Sequence, residues 1–180
     1  MNQEMILAGF GGQGVMLMGQ IITYAGMLEA RQVSWFPAYG PEMRGGTANC
    51  SVIISDDPVG TPIVTEPKVV VAMNLPSLDK FEPLLVPGGS LLVNSSLIER
   101  DPQRTDVKVY LIPCNEIAKE LGNMKVANMV MVGAIIAVSN AVKLESVLEV
   151  CVKKVFKNKP EALKLNEQAI RRGMECVNQK

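Results

Sequence analysis

Short apolar runs alternate along this chain with longer stretches in which apolar positions recur every three or four residues. Six runs read as strands, at residues 5–9, 33–36, 47–55, 68–73, 90–94 and 107–112. Val69-Val70-Val71-Ala72 and Leu91-Leu92-Val93 show no polar alternation, which is the pattern of strands covered on both faces. The run Val33-Ser34-Trp35-Phe36 is expected to stop at Pro37, and the run centred on Val52-Ile53-Ile54 to end in an Asp56-Asp57-Pro58 turn. Helical spacing predicts helices over 14–28, 76–85, 115–121, 126–142 and 160–177, the last opened by Pro160. Leu144, Val147, Leu148, Cys151, Val152, Val155 and Phe156 add another at i, i+3, i+4, i+7. Residues 29–32, Pro87-Gly88-Gly89 and Gly122 punctuate the pattern. Strands alternating with helices, then a helical last third, predict one α/β domain over residues 1–180.

The 126–142 run, between Lys125 and Lys143, is slightly short for a membrane span and contains Asn128, Ser139 and Asn140. It reads as a buried core or interface helix. No internal repeat or low-complexity tract interrupts the chain.

Between the first strand and the first helix stands Gly9-Phe10-Gly11-Gly12-Gln13-Gly14. Gly9, Gly11 and Gly14 fit the G-x-G-x-x-G spacing, so the sheet is expected to be Rossmann-like and mostly parallel, flanked by helices. Glycines leave backbone N–H groups uncovered at a helix N-terminus, where an anion is stabilised. The plainer alternative is that they only let strand and helix pack closely. A dinucleotide site also needs a carboxylate at the end of the second strand for the ribose hydroxyls. That strand ends in Trp35-Phe36-Pro37-Ala38; Glu29 precedes it and Glu42 lies beyond it. A stand-alone Rossmann-type nucleotide- or NAD-binding protein is therefore the second reading.

The loop after the second strand has unusual content. Tyr39, Glu42 and Arg44 put an aromatic ring, a carboxylate and a guanidinium in a segment braced by Gly40 and Pro41, and Gly45 and Gly46 bare backbone amides beside Arg44. With Gly9, Gly11, Gly12, Gln13 and Gly14 of the first loop, these residues are expected to form one surface at the carboxyl ends of the strands, for subunit contact or a phosphate-bearing ligand. The plain alternative is an internal Glu42–Arg44 ion pair with structural glycines.

Composition removes several classes of chemistry. Eighteen basic residues balance eighteen acidic ones, which leaves no electrostatic footprint for nucleic acid or an anionic membrane. Histidine is absent, so imidazole general-base catalysis and most zinc catalysis are excluded. Cys50, Cys114, Cys151 and Cys176 form no C-x-x-C pair, which argues against a zinc or iron–sulfur site. Free cysteines and no basic, apolar leader in Met1-Asn2-Gln3-Glu4 lead to the expectation of a cytoplasmic protein. Eleven methionines favour adaptable packing and lead to the expectation of a buried partner interface. No G-x-S-x-G, no Walker motif and no catalytic carboxylate pair is found. The chain offers contact surfaces and anion-friendly loops, and no complete catalytic apparatus.

The stretches GFGGQGV at 9–15 and FPAYGPEMRGGTANC at 36–50 together resemble the gamma subunit of 2-oxoacid:ferredoxin oxidoreductases. The resemblance extends to Lys125-Val126-Ala127-Asn128-Met129 and is nearest to the 2-oxoglutarate and 2-oxoisovalerate branch. It implies an enzyme that oxidatively decarboxylates a 2-oxoacid to its acyl-coenzyme A and passes electrons to ferredoxin. Thiamine diphosphate, magnesium and iron–sulfur clusters are implied on alpha, beta and ferredoxin-like delta partners. This chain would dock to those partners and contact coenzyme A. The resemblance carries no catalytic residue and no metal ligand onto it.

Overall fold

Strand β1 (Asn2–Phe10) runs through the interior of a six-stranded sheet, completed by β2 (Gln32–Ala38), β3 (Thr47–Ser55), β4 (Val69–Ala72), β5 (Ser90–Asn94) and β6 (Lys108–Ile112). The strand order is β2-β3-β1-β4-β5-β6. From β1 to β6 the pairings are parallel, and β3 is antiparallel to both β1 and β2. The computed structural model describes residues 1–38 and 47–178. Tyr39, Glu42, Arg44, Gly45 and Gly46, five of the residues singled out from sequence, lie outside the described residues.

The helices are α1 (Val15–Leu28), α2 (Leu75–Phe81), α3 (Cys114–Glu120), α4 (Ala127–Ser139), α5 (Leu144–Val150) and α6 (Pro160–Asn178). Side chains alternate across each strand. Met5 and Leu7 of β1 enter the larger core with Val69 and Val71, whereas Ile6 and Ala8 enter the smaller one with Val70 and Ala72. Helices α1 and α3–α6 pack on the first face, and α2 packs on the second. Both faces of β1 and β4 are thus covered, which is why their sequences run apolar without alternation. The methionines serve this packing: Met5, Met18, Met73, Met129 and Met131 are buried, while Met27 and Met124 are exposed.

Helix α4 is buried almost all round because α6 covers the side turned away from the sheet. The two helices meet at glycine. A Cβ placed on Gly133 would stand 1.9 Å from the Ile170 carbonyl oxygen, and one on Gly173 would stand 1.8 Å from that of Val130. No helix among the described residues is long and apolar enough to cross a membrane.

Four boundaries differ from those expected. Pro37 does not stop β2, which continues to Ala38; β2 is an edge strand, where a missing backbone donor costs no ladder bond. The helix expected over 126–142 starts as a 3-10 turn at Met124–Val126 and ends at Asn140, whose φ is 49°. The helix expected over 76–85 gives way after Phe81 to a 3-10 turn, Glu82–Leu84, that contains Pro83. Helix α5 passes into a π turn at Cys151–Val155 before the register is lost.

No helix connects β5 to β6, and a buried carboxylate holds that connection instead. Glu82 is 3% exposed. Its carboxylate accepts from the backbone N–H groups of Gln103 and Arg104 and from the Arg100 guanidinium at 3.2 Å. Arg100 also reaches Asp79, and Arg104 donates to the Leu85 carbonyl at 2.9 Å and to Asp106. The Arg104 guanidinium holds the Asp106 carboxyl below its ordinary range.

Helices α1 and α3 end in the same hydrogen-bond pattern with different residues. After α3, Gly122 N–H donates to Lys119 and Asn123 N–H to Ala118, with Gly122 at φ 84°. After α1, Ala30 N–H donates to Met27 and Arg31 N–H to Gly26, with Ala30 at φ 57°. This is the Schellman arrangement, in which the left-handed residue costs about 1–2 kcal/mol unless it is glycine. Ala30→Gly is expected to stabilise the chain by roughly 0.5–1 kcal/mol, because relief of that strain exceeds the added entropy of the unfolded glycine. Thermal denaturation should show a rise of roughly 1–4 °C for a chain of this size, and a fall would contradict the strain assignment.

Candidate functional site

The carboxyl ends of β1, β4, β5 and β6 meet where the chain changes sides. The connection from β1 runs through α1 on one face, and that from β4 runs through α2 on the other. Ligands of open α/β sheets lie in the crevice that such a reversal leaves. Here the crevice is a cleft of about 450 Å³, lined by Gly12, Gln13, Gly14, Met73, Asn115, Met124, Lys125, Ala127 and Asn128.

The glycine turn forms one wall. Phe10 ends β1, and Gly14 is the N-cap of α1 at φ 75° and ψ 21°. A Cβ on Gly14 would lie 2.4 Å from Asn128 Nδ2, so this glycine is required twice: for its left-handed backbone and for the approach of α4. Among the described residues no side chain caps α1, and no acidic residue occupies its first turn. Its first backbone N–H groups therefore lack intrahelical partners, and the helix dipole is unopposed there.

Lys125 and Asn128 form the opposite wall. Lys125 is exposed, on the 3-10 turn that leads into α4. Asn128 is only 7% exposed, and among the described residues its carboxamide has no hydrogen-bond partner. Here the groups beside it are the bare N-terminus of α1 and the cleft.

Gln13 is held on the floor of the turn. Its Oε1 accepts from Phe10 N–H at 2.6 Å and from Asn74 Nδ2 at 3.3 Å, and its Nε2 donates to the Met73 carbonyl at 3.2 Å. Asn115 follows β6 and is half-buried against the cleft. Among the described residues no carboxylate lines the cleft. The arrangement presents hydrogen-bond donors and one ammonium group, which is chemistry for an anion.

Of the first-loop residues singled out from sequence, Gly12, Gln13 and Gly14 line the cleft, whereas Gly9 lies within β1 and Gly11 is not in the lining. Asn74, Asn94 and Asn115 went unread, although each directly ends or closely follows a parallel strand, at Ala72-Met73-Asn74, Val93-Asn94 and Ile112-Pro113-Cys114-Asn115. That recurrence was the available signal. Ala38 and Thr47, which flank residues 39–46, stand at this same end of the sheet, paired with Asn49 and Phe10.

The dinucleotide reading fares worse. Strand β3 separates β2 from β1, so the end of β2 lies two inter-strand spacings from the glycine turn, roughly 9–10 Å. A carboxylate at that position would not lie beside the turn as it does in a dinucleotide fold. The thiols offer no reactive centre either. Burial pushes Cys50 up to about 12, against a smaller lowering by the Trp35 indole, and Cys151 up to about 11. Burial also raises Cys114 and Cys176, so the protonated form dominates at neutral pH.

Fold and cleft together define an α/β chain with an anion-friendly mouth at its sheet reversal. The chain belongs to the pyruvate ferredoxin/flavodoxin oxidoreductase family, whose model matches residues 4–176. It is 39% identical to the ketoisovalerate oxidoreductase subunit VorA of Methanothermobacter thermautotrophicus over 96% of this chain, but spans only 36% of that relative. It is 35% identical to the 2-oxoglutarate synthase subunit KorC of Methanocaldococcus jannaschii, over 99% of this chain and 96% of the relative.

Solved structures agree. The gamma subunit of a keto/oxoacid ferredoxin oxidoreductase from Geobacter sulfurreducens superposes with a TM-score of 0.84 at 31% identity, over 99% of each chain. A 2-oxoglutarate:ferredoxin oxidoreductase from Magnetococcus marinus, solved with 2-oxoglutarate, coenzyme A and succinyl-CoA bound, gives a TM-score of 0.91 at 25% identity. The match covers 99% of this chain and 31% of that one.

Proposed function

We propose that this chain works as the gamma subunit of a cytoplasmic 2-oxoacid:ferredoxin oxidoreductase of the 2-oxoglutarate or 2-oxoisovalerate branch. As one domain it docks to alpha, beta and ferredoxin-like delta partners, which carry thiamine diphosphate, magnesium and the iron–sulfur clusters and hand electrons to ferredoxin. Those groups supply decarboxylation and electron transfer. Among the described residues no group of cysteine, aspartate or glutamate side chains could hold a metal ion, and Cys50, Cys114 and Cys151 are buried in the core.

Its own contribution is to hold a phosphate group of coenzyme A in the cleft between Gly12–Gly14 and Lys125–Asn128. The observation that carries this reading is the unpartnered, buried Asn128 carboxamide at the uncapped N-terminus of α1. A phosphate there would take hydrogen bonds from Asn128 and the first-turn N–H groups, and charge from Lys125. Tyr39, Glu42, Arg44, Gly45 and Gly46 complete the proposed surface for ligand or subunit contact.

Calorimetry of the purified chain with coenzyme A, NAD and NADP tests this. Coenzyme A should bind, and Lys125→Ala together with Asn128→Ala should weaken it about 10- to 100-fold, the worth of one or two charge-assisted bonds. Tight NAD binding without coenzyme A binding would restore the stand-alone nucleotide-binding reading. Pull-down from the native host tests assembly separately: recovery of the chain alone, with no thiamine-dependent partner, would overturn the subunit assignment.

A further inference from the structure

Behind the cleft lie two buried asparagines that touch no ligand position themselves. Asn74 is 3% exposed and Asn94 is fully buried. Each amide has its orientation set by a backbone N–H, which can only donate. Ser77 N–H donates to Asn74 Oδ1 at 2.9 Å, so Asn74 Nδ2 is the end that faces Gln13 and donates to Oε1. Ser96 N–H donates to Asn94 Oδ1 at 3.3 Å, so Asn94 Nδ2 faces the other way. It donates to the Met73 carbonyl at 3.5 Å and to Asn115 Oδ1 at 2.9 Å.

The consequence passes to the two amides that line the cleft. Gln13 has its acceptor occupied twice and one N–H on Met73, which leaves its second N–H. Asn115 has its acceptor engaged by Asn94, while its backbone N–H donates to Ser96 Oγ at 3.1 Å. What remains of its side chain is the NH₂ group. An amide can ordinarily turn either end toward a ligand; these two cannot without breaking a buried bond.

We infer that Asn74 and Asn94 are positioning residues that lock Gln13 and Asn115 with N–H groups toward the cleft, making it selective for a fully deprotonated oxyanion, as on a diphosphate, over ligands that must donate. The inference rests on the cleft being the anion site proposed above. The lock is preformed, so no rotamer has to be selected when the anion arrives. Asn94 joins the carboxyl ends of β4, β5 and β6 in one network, through Met73, its own strand and Asn115.

The test uses the full chain and inorganic pyrophosphate as probe. Asn94→Asp keeps shape but has no N–H, so Asn115 should turn its NH₂ inward and present its oxygen to the cleft. Pyrophosphate affinity is expected to fall about tenfold, the worth of one charge-assisted bond. In an Asn115→Ala background the same substitution should change affinity less than about twofold, because the residue it acts through is gone. A loss of equal size in both backgrounds would be the charge of the new carboxylate acting through space, and would overturn the lock.

Nuclear magnetic resonance on the unsubstituted chain gives a second reading that does not depend on a variant folding. Adding pyrophosphate should shift the side-chain NH₂ resonances of Asn115 and Gln13 along with the backbone amides of residues 12–17. Shifts confined to the backbone would overturn this inference and leave the anion site standing; no shift anywhere would remove both.

Discussion

Gly133→Ala should be among the most damaging single-methyl additions in this protein. The new Cβ would sit 1.9 Å from the Ile170 carbonyl oxygen, a backbone atom of α6 that no rotamer change can move. Helices α4 and α6 must then separate, and α4 is the element on which the larger core is built. Over-packing costs about 1–3 kcal/mol where side chains can yield; against backbone the upper end applies, outweighing the gain of about 1 kcal/mol in helix propensity. A net loss of roughly 2 kcal/mol or more should lower Tm by at least about 4–8 °C. Gly173→Ala should behave alike, since its Cβ would meet the Val130 carbonyl at 1.8 Å. Gly60, with nothing within 4 Å of its Cβ position, is the control: its alanine variant should melt close to the parent. Equal melting of all three would refute the close crossing.

Glu82→Ala should cost about 3 kcal/mol, at the low end for a broken buried ion pair because the Arg100 side chain keeps 28% of its surface in water. The loss has two parts. The backbone N–H groups of Gln103 and Arg104 lose their acceptor, and Arg100 retains Asp79 and the Asp101 carbonyl but loses its buried carboxylate partner. Glu82→Gln keeps one oxygen for those N–H groups and should recover about half, since a neutral acceptor is worth roughly half a charged one. Urea denaturation of the three proteins measures the series directly. Because residues 95–107 take the place of a crossover helix, opening should begin there, with amide exchange in that segment rising before exchange in β1. Uniform exchange across the chain would contradict the assignment of Glu82 as the local pin.

Much of the architecture is legible in the sequence. Val69-Val70-Val71-Ala72 and Leu91-Leu92-Val93 carry the pattern of doubly covered strands, and the glycine turn stands between β1 and α1. Gly122 announced a helix end; Ala30, in the same backbone conformation, did not, because nothing in its chemistry asks for φ above zero. The insertion of β3 between β1 and β2 was not legible. Its apolar pattern satisfies either neighbour, and register in an antiparallel pair depends on contacts far apart in the chain. That single pairing moves the end of β2 away from the glycine turn and removes the geometric basis for a dinucleotide site.

The candidate site divides in the same way. Gly12, Gln13 and Gly14 were readable because their spacing is local, whereas nothing in the residues around Lys125 and Asn128 marked them as cleft-lining. Asn74, Asn94 and Asn115 were invisible as a group, because their joint meaning requires knowing that β4, β5 and β6 end side by side.

The sequence by itself therefore determined the α/β class, the strand and helix inventory and the glycine turn, all of which follow from local periodicity and from what glycine and proline permit. Tertiary structure alone decided which strands are neighbours, where α4 and α6 touch, and which way the cleft amides face. Those depend on groups brought together from distant parts of the chain: a backbone oxygen 37 residues from the glycine it excludes, and a serine N–H that orients one asparagine and, through it, another 21 residues away.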